Sequence, residues 1–282
     1  MVGPNLVILG PLGELASDRL VEVDVERGHH AAQHRVGAAE EQQLHNLAIA
    51  KPLSNRLEVG VGRARRSQLA QRGADVHGRS TDRGRQVVAD INDRGQAARF
   101  IAADLTEPAE VERLADEAGD VDILINNAGS AWFGPTPELQ PKMLDRMFAA
   151  NVQAPYILTA ALAPKMATKG RGVIINVSSV AATIGLEGAA AYAATKASLV
   201  AFTRSWAAEY GQHGIRVIAV APGPVYTNAV DDSLTESLGA TTPLGRAAQP
   251  NEIAETMVFL ASAQAGYISG AVIPIDGGRA AV

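Results

Sequence analysis

From about Asp75 onward the chain alternates short apolar runs with longer stretches of helical character. Residues 99–103 (Arg-Phe-Ile-Ala-Ala), 121–125 (Val-Asp-Ile-Leu-Ile), 173–177 (Val-Ile-Ile-Asn-Val), 215–220 (Ile-Arg-Val-Ile-Ala-Val) and 271–275 (Ala-Val-Ile-Pro-Ile) each predict a strand. These runs are mostly apolar rather than alternating, the pattern of strands covered on both faces. Residues 107–118, 140–168, 189–211 and 251–262 predict helices between them. Regular strand–helix alternation implies an α/β fold with a doubly wound parallel sheet. Its ligand is expected at the carboxyl ends of the strands.

The head of the chain breaks this pattern. Four of the six histidines (His29, His30, His34, His45) lie there, and Gly, Pro, Asp and Arg interrupt every apolar run. Residues 6–10 and 47–50 are strand-like, but neither leads into a helix. Residues 1–58 are therefore read as an irregular extension, poorly ordered or loosely packed, ahead of a single domain at 59–282. With 282 residues, 47% of them hydrophobic, the chain can build one large α/β domain. A net charge of −5 gives no electrostatic footprint for nucleic acid. The absence of cysteine excludes disulfides, thiolate metal sites, Fe–S clusters and a cysteine nucleophile. No uncharged apolar run approaches the ~18–20 residues of a membrane span. The opening residues lack a basic n-region and meet Glu14 and Asp18 early, so the expectation is a cytoplasmic protein. The pair His29–His30 with His34 is read as a solvated cluster, and no metal is expected.

The candidate chemistry lies in the middle. Tyr192 and Lys196, in Ala-Tyr-Ala-Ala-Thr-Lys, share one face of a predicted helix, one turn apart. A cation there favours the phenolate, which would bring the phenol toward the working range of a general acid/base. The pair alone is common on helices. Its context is less so: Ser178-Ser179 ends the strand at 173–177, thirteen residues before the tyrosine. Asn126-Asn127-Ala128-Gly129 closes another strand, Asn151 lies within a helical stretch, Pro222-Gly223-Pro224-Val225-Tyr226-Thr227 follows the strand at 215–220, and Asp276-Gly277-Gly278 follows the last.

This ordered set resembles the short-chain dehydrogenase/reductases over about residues 60–278, with an ending like the 3-oxoacyl-carrier-protein reductase branch. The resemblance implies a Rossmann-type fold, a nicotinamide cofactor and carbonyl/alcohol interconversion on a small molecule. It casts Tyr192 as the acid/base and Lys196 as the residue that holds the nicotinamide ribose and lowers the tyrosine pKa. Ser179 would hydrogen-bond the substrate oxygen, and Asn151 would support a water-linked proton relay to Lys196. Asn126, Ala128 and Gly129 would line the cofactor cleft, with Asp104 and Leu105 at the adenine ring and Pro222, Gly223, Val225 and Thr227 at the nicotinamide end. The bland readings are a turn at Asn126-Asn127, a helix cap at Asp104 and a helix interruption at Asn151.

The dinucleotide loop departs from the family pattern Thr-Gly-x-x-x-Gly-x-Gly. Gly60 and Gly62 match its last two glycines, but Arg56 stands where the first is expected, and Lys51-Pro52-Leu53-Ser54 is no apolar strand. Arg65 and Arg66 occupy helix positions that usually pack on the sheet, and the next strand, 75–78, reads two residues short. Either a natural variant loop or a reading-frame or start-site error accounts for this. Weakened pyrophosphate binding is expected. Arg79, followed by Ser80, occupies the end of the second strand where an acid would select NAD, so NADP(H) is favoured over NAD(H). The alternative for Arg79 is a solvated loop arginine.

Trp132, Phe133, Tyr226 and Met143 either line a substrate pocket or pack. Residues 226–246 are expected to form a mobile acidic flap carrying Asp231, Asp232 and Glu236. The resemblance further implies a homodimer or homotetramer through the two long Ala-rich helices. Two function classes stand: an NADP(H)-dependent oxidoreductase, and a protein of the same fold with an impaired loop, acting as an inactive or interaction subunit.

Overall fold

A computed structural model describes residues 7–9, 74–93, 97–227 and 232–282. Gly60, Gly62, Arg65, Arg66, the N-terminal histidines, the strand-like run at 47–50 and Asp231 lie outside the described residues.

The described strands form one sheet in the order β3-β2-β1-β4-β5-β6-β7. They are β1 (Val7–Leu9), β2 (Ala74–Gly78), β3 (Ala98–Ala102), β4 (Ile123–Asn126), β5 (Gly172–Val177), β6 (Ile215–Pro222) and β7 (Val272–Ile275). Pairing is parallel from β4 to β7 and between β2 and β3. Within this doubly wound parallel sheet, β1 alone among the described strands runs antiparallel to its neighbours, β2 and β4. Its three residues pair with Ala74–Val76 on one side and with Ile123–Ile125 on the other. β2 begins at Ala74, one residue before the expected run, and all five of its residues pair with all five of β3.

The core divides by strand parity. Leu124, Ile174 and Val217 point to one face, against α2 (Pro108–Ala118), α4 (Ala154–Lys169) and α5 (Ala190–Tyr210). Ile123, Ile125, Val173, Ile175, Ile218 and Val220 point to the other, against α7 (Pro250–Ala261). Successive side chains of a strand leave opposite faces, so an unbroken apolar run is what two covered faces require. Each fully buried Leu or Ile contributes about 1.5–3 kcal/mol.

Two helices were not anticipated. α1 (Thr81–Asp93) begins with a polar run containing Gly84 and so hides its period. A Cβ at Gly84 would land on the ring of Phe100 in β3, so the glycine lets α1 seat on the sheet. α6 (Asp232–Ala240) occupies much of the expected flap. The predicted helix at 140–168 is two, α3 (Pro141–Phe148) and α4, joined by a π-helical turn at Ala149–Gln153.

At the amino edge of the sheet Asp122 is fully buried. Its carboxylate accepts from Lys169 Nζ at 2.8 Å, and Lys169 also donates to the Val121 carbonyl at 2.7 Å. This ties the end of α4 to the start of β4, away from the carboxyl edge where the site lies.

Candidate active site

The carboxyl edge of β5 continues through Ser178 to Ser179. Ser178 donates its N–H to the Val220 carbonyl at 2.8 Å, prolonging the ladder with β6. Ser179 then caps a short 3₁₀ turn at Val180–Ala182: its Oγ accepts from the Ala181 N–H at 3.2 Å. With that lone pair occupied, the hydroxyl bonds the phenol of Tyr192, which stands in the first turn of α5. Lys196 follows one turn on. Tyr192 is 6% exposed and Lys196 2%. The Lys196 ammonium donates to the Val177 carbonyl at 2.9 Å and lies 5.8 Å from the centroid of the tyrosine ring. Ser178 Oγ pins the helix by donating to the Lys196 carbonyl at 2.9 Å.

The electrostatics correct one expectation. Burial drives the Tyr192 phenol up to about 12, and the Ser179 bond offsets only part of that. Lys196 does not bring it down, because its ammonium sits over the ring and is held by a carbonyl rather than by the phenol oxygen. Burial pulls Lys196 itself from 10.5 to about 8.

Asn151 is fully buried in the π-helical turn. The wide turn adds one residue to the helical repeat and aims this side chain at α5. Its Oδ1 accepts from the Ser130 N–H at 2.7 Å, and its Nδ2 donates to the Ser130 carbonyl at 2.8 Å and to Thr195 Oγ1 at 2.9 Å. Gly129 lies beside this junction. A Cβ there would stand 3.0 Å from Asn151 Oδ1 and 3.4 Å from Lys196 Nζ. The glycine thus keeps open a cradle against the lysine.

The remaining expected residues line the same edge. Arg79 and Ser80 follow β2, Asp104 and Leu105 follow β3, and Ala128 and Gly129 follow β4. Pro222 ends β6, and Gly223, Val225 and Thr227 come after it. Arg79 and Asp104 meet across the β2–β3 pair at 3.6 Å. Burial would raise the Asp104 carboxyl, but its bonds from the Thr106 N–H and hydroxyl, with the charges of Arg79 and Arg146, bring it below the ordinary value. Asp104 is therefore not the cap of α2; it closes an Asx turn, and Glu107 takes the N-cap position. Asn126 is also turned inward. Its Nδ2 donates to Asn176 Oδ1 at 2.8 Å, and Asn176 Nδ2 donates to Thr203 Oγ1 at 2.8 Å, so its side chain ties β4 to β5 and, through Asn176, to α5.

Above Tyr192 the loop at 131–134 forms an apolar wall. Trp132 packs with Met143, Met147, Leu186 and Tyr192. Phe133 sets its ring 5.4 Å from that of Tyr192 at 58°. The Gly134 N–H donates to the Gly188 carbonyl at 2.9 Å. Gly188 has φ +74°, and a Cβ there would sit 3.1 Å from the Gly134 nitrogen, so only glycine closes this clamp without strain. Tyr226 is not in the cluster; its N–H is tied to the Ala248 carbonyl at 3.0 Å.

The described residues fit a nicotinamide dinucleotide at both ends: a basic side chain beyond β2, and an open glycine cradle beside a buried ammonium after β4. Sequence reasoning missed Thr195. The available signal was a β-branched hydroxyl residue inside an Ala-rich helix, where propensity alone does not favour it.

A sequence profile described as enoyl-(acyl-carrier-protein) reductase matches residues 57–280. An uncharacterized oxidoreductase of Thermotoga maritima is 35% identical over 236 residues, covering 79% of this chain and 94% of that protein. A 3-oxoacyl-[acyl-carrier-protein] reductase of Vibrio cholerae is 37% identical over 228 residues, covering 78% and 92%. Among solved structures, a putative NAD(P)-dependent gluconate 5-dehydrogenase from Beutenbergia cavernae, with bound NADP, is 33% identical with a TM-score of 0.69, covering 73% of this chain and 86% of that one.

Proposed function

The chain belongs to the short-chain dehydrogenase/reductase family, and from that premise we propose that it interconverts a carbonyl and a secondary alcohol with NADP(H). The observation that carries this reading is the convergence of Ser179 on the buried Tyr192 and Lys196 at the carboxyl edge of β5. When bound, the nicotinamide dinucleotide supplies or accepts the hydride. The chain's own residues manage the proton. A phenol near 12 is protonated at neutral pH and ready to donate to a carbonyl oxygen as negative charge develops on it. Ser179 has a single proton, and turning it from the phenol to the substrate places a second donor on the same oxygen. Lys196, with a value near 8, exchanges a proton near neutral pH and returns one to the phenol through water, since the Val177 carbonyl holds its ammonium away from the phenol oxygen.

Arg79 supports NADP(H) over NAD(H): it offers a guanidinium at the end of β2, where an acid would repel a 2′-phosphate. The catalytic unit is the domain from about residue 59, close to residue 57 where the family match begins, together with β1, which enters its sheet from ahead of that boundary. The loop glycines Gly60 and Gly62 would complete the pyrophosphate site. A homodimer or homotetramer is supported by the aromatic group on α4 and α5, where Tyr156 stands half-exposed beside Phe202 and Trp206. No helix among the described residues is long and apolar enough to cross a membrane, which accords with a cytoplasmic enzyme. The inactive-subunit alternative has no observation in its favour, since the relatives carry enzyme names.

The test is a fluorescence titration with NADPH and, separately, NADH, followed by a carbonyl panel. Tighter NADPH binding and turnover lost in Tyr192→Phe are expected. Equal or tighter NADH binding would overturn the cofactor preference, and turnover surviving in Tyr192→Phe would overturn the acid/base assignment.

A further inference from the structure

Building on the oxidoreductase reading, we propose that Thr195 is a positioning residue: its hydroxyl, held between the Asn151 carboxamide and the Tyr192 carbonyl, fixes which end of that carboxamide faces Gly129, the glycine beside Lys196. Thr195 is fully buried. Its Oγ1 lies 2.8 Å from the Tyr192 carbonyl oxygen and 2.9 Å from Asn151 Nδ2. A carbonyl can only accept, so the single hydroxyl proton must go to Tyr192. The hydroxyl oxygen is then free only to accept, and the group it accepts from must be the amide NH₂ of Asn151.

The Ser130 backbone enforces the same choice from the other side. Its carbonyl accepts from Nδ2 and its N–H donates to Oδ1. A reversed carboxamide would set Oδ1 against two acceptors and Nδ2 against a donor. The retained orientation puts Oδ1 on the side of Gly129, where the position of an added Cβ is 3.0 Å from Oδ1 and 3.4 Å from Lys196 Nζ. The carboxamide oxygen and the Lys196 ammonium thus flank the same glycine. Thr195 touches no reacting atom. It acts through Asn151, and it links that orientation to the turn of α5 that carries Tyr192.

The test compares Thr195→Val, which keeps the shape and deletes the hydroxyl, with Thr195→Ser, which keeps the hydroxyl. Thr195→Val is expected to lower kcat about tenfold, the effect of one buried hydrogen bond left unmade, with KM changed less than about twofold. Thr195→Ser should restore kcat to within about twofold. A second readout is independent of turnover: hydrogen exchange of the Asn151 side-chain amide protons by NMR, the resonance assigned by its loss in Asn151→Asp. Slow exchange is expected in the unmodified protein, and exchange at least about tenfold faster in Thr195→Val. An unchanged kcat in Thr195→Val, or equal impairment of Thr195→Ser, would overturn the proposal; so would fast amide exchange in the unmodified protein, which is readable even if Thr195→Val does not fold. Should the unmodified protein turn over no carbonyl, the oxidoreductase reading fails, while amide exchange still decides the orientation.

Discussion

Replacing Lys196 by Met is expected to abolish turnover and yet raise thermal stability at neutral pH. The reason is the cost of keeping an ammonium out of water. Burial lowers the Lys196 value from 10.5 to about 8. At about 1.4 kcal/mol per tenfold change in the acid equilibrium, holding the proton at neutral pH costs up to ~3 kcal/mol relative to the unfolded chain. Met fills a similar volume without that cost. It leaves the Val177 carbonyl without its lysine donor, a loss of about 1–2 kcal/mol. The balance is a gain of roughly 1–2 kcal/mol, or about 2–6 °C in Tm for a domain of this size. The sign with pH follows from the lowered value. Below about 8 both folded and unfolded chains hold the proton, and the cost is fully present. Between about 8 and 10.5 the unfolded chain binds more protons than the folded one, so the stability of the unmodified protein rises with pH. The advantage of Lys196→Met should therefore be greatest below about pH 8 and shrink steadily above it. Thermal melts of both proteins across that range, with kcat measured alongside, make the test. A variant no more stable at neutral pH, or a Tm gap that ignores pH, would refute the reasoning.

Two further outcomes are expected. Gly129→Ala should lower kcat about tenfold, read by steady-state kinetics, because the new methyl presses on Asn151 Oδ1 and Lys196 Nζ and neither can withdraw freely; unaltered kinetics would show that the cradle tolerates a side chain. Asp122→Ala should cost about 2 kcal/mol in urea unfolding, less than a fully buried pair because Lys169 can turn to solvent. Its activity per folded molecule should hold, since Asp122 lies at the opposite edge of the sheet.

The strands were legible because their signal is local. The runs at 121–125, 173–177 and 215–220 became β4, β5 and β6 within two residues at either end, and their unbroken apolar character matched two covered faces. The spacing of Tyr192 and Lys196 likewise placed both on one face of α5, since a helical repeat needs only the chain itself. α1 was illegible because the reason for Gly84 is Phe100, a residue on a different element. At Asn151 the sequence offers a relay role or a helix interruption, but not the π-helical turn. Its partners Ser130 and Thr195 stand 21 and 44 residues away, so nothing in the local pattern announces a π-helical turn.

Protonation was decided by the tertiary structure alone. A lysine four residues from a tyrosine predicts a lowered phenol, but that holds only if the ammonium reaches the oxygen and the pair stays wet. Packing under Trp132 and Phe133 removes the water, and the Val177 carbonyl takes the ammonium. Chain order determined which residues meet; burial, which depends on every element at once, determined what charge they carry when they do.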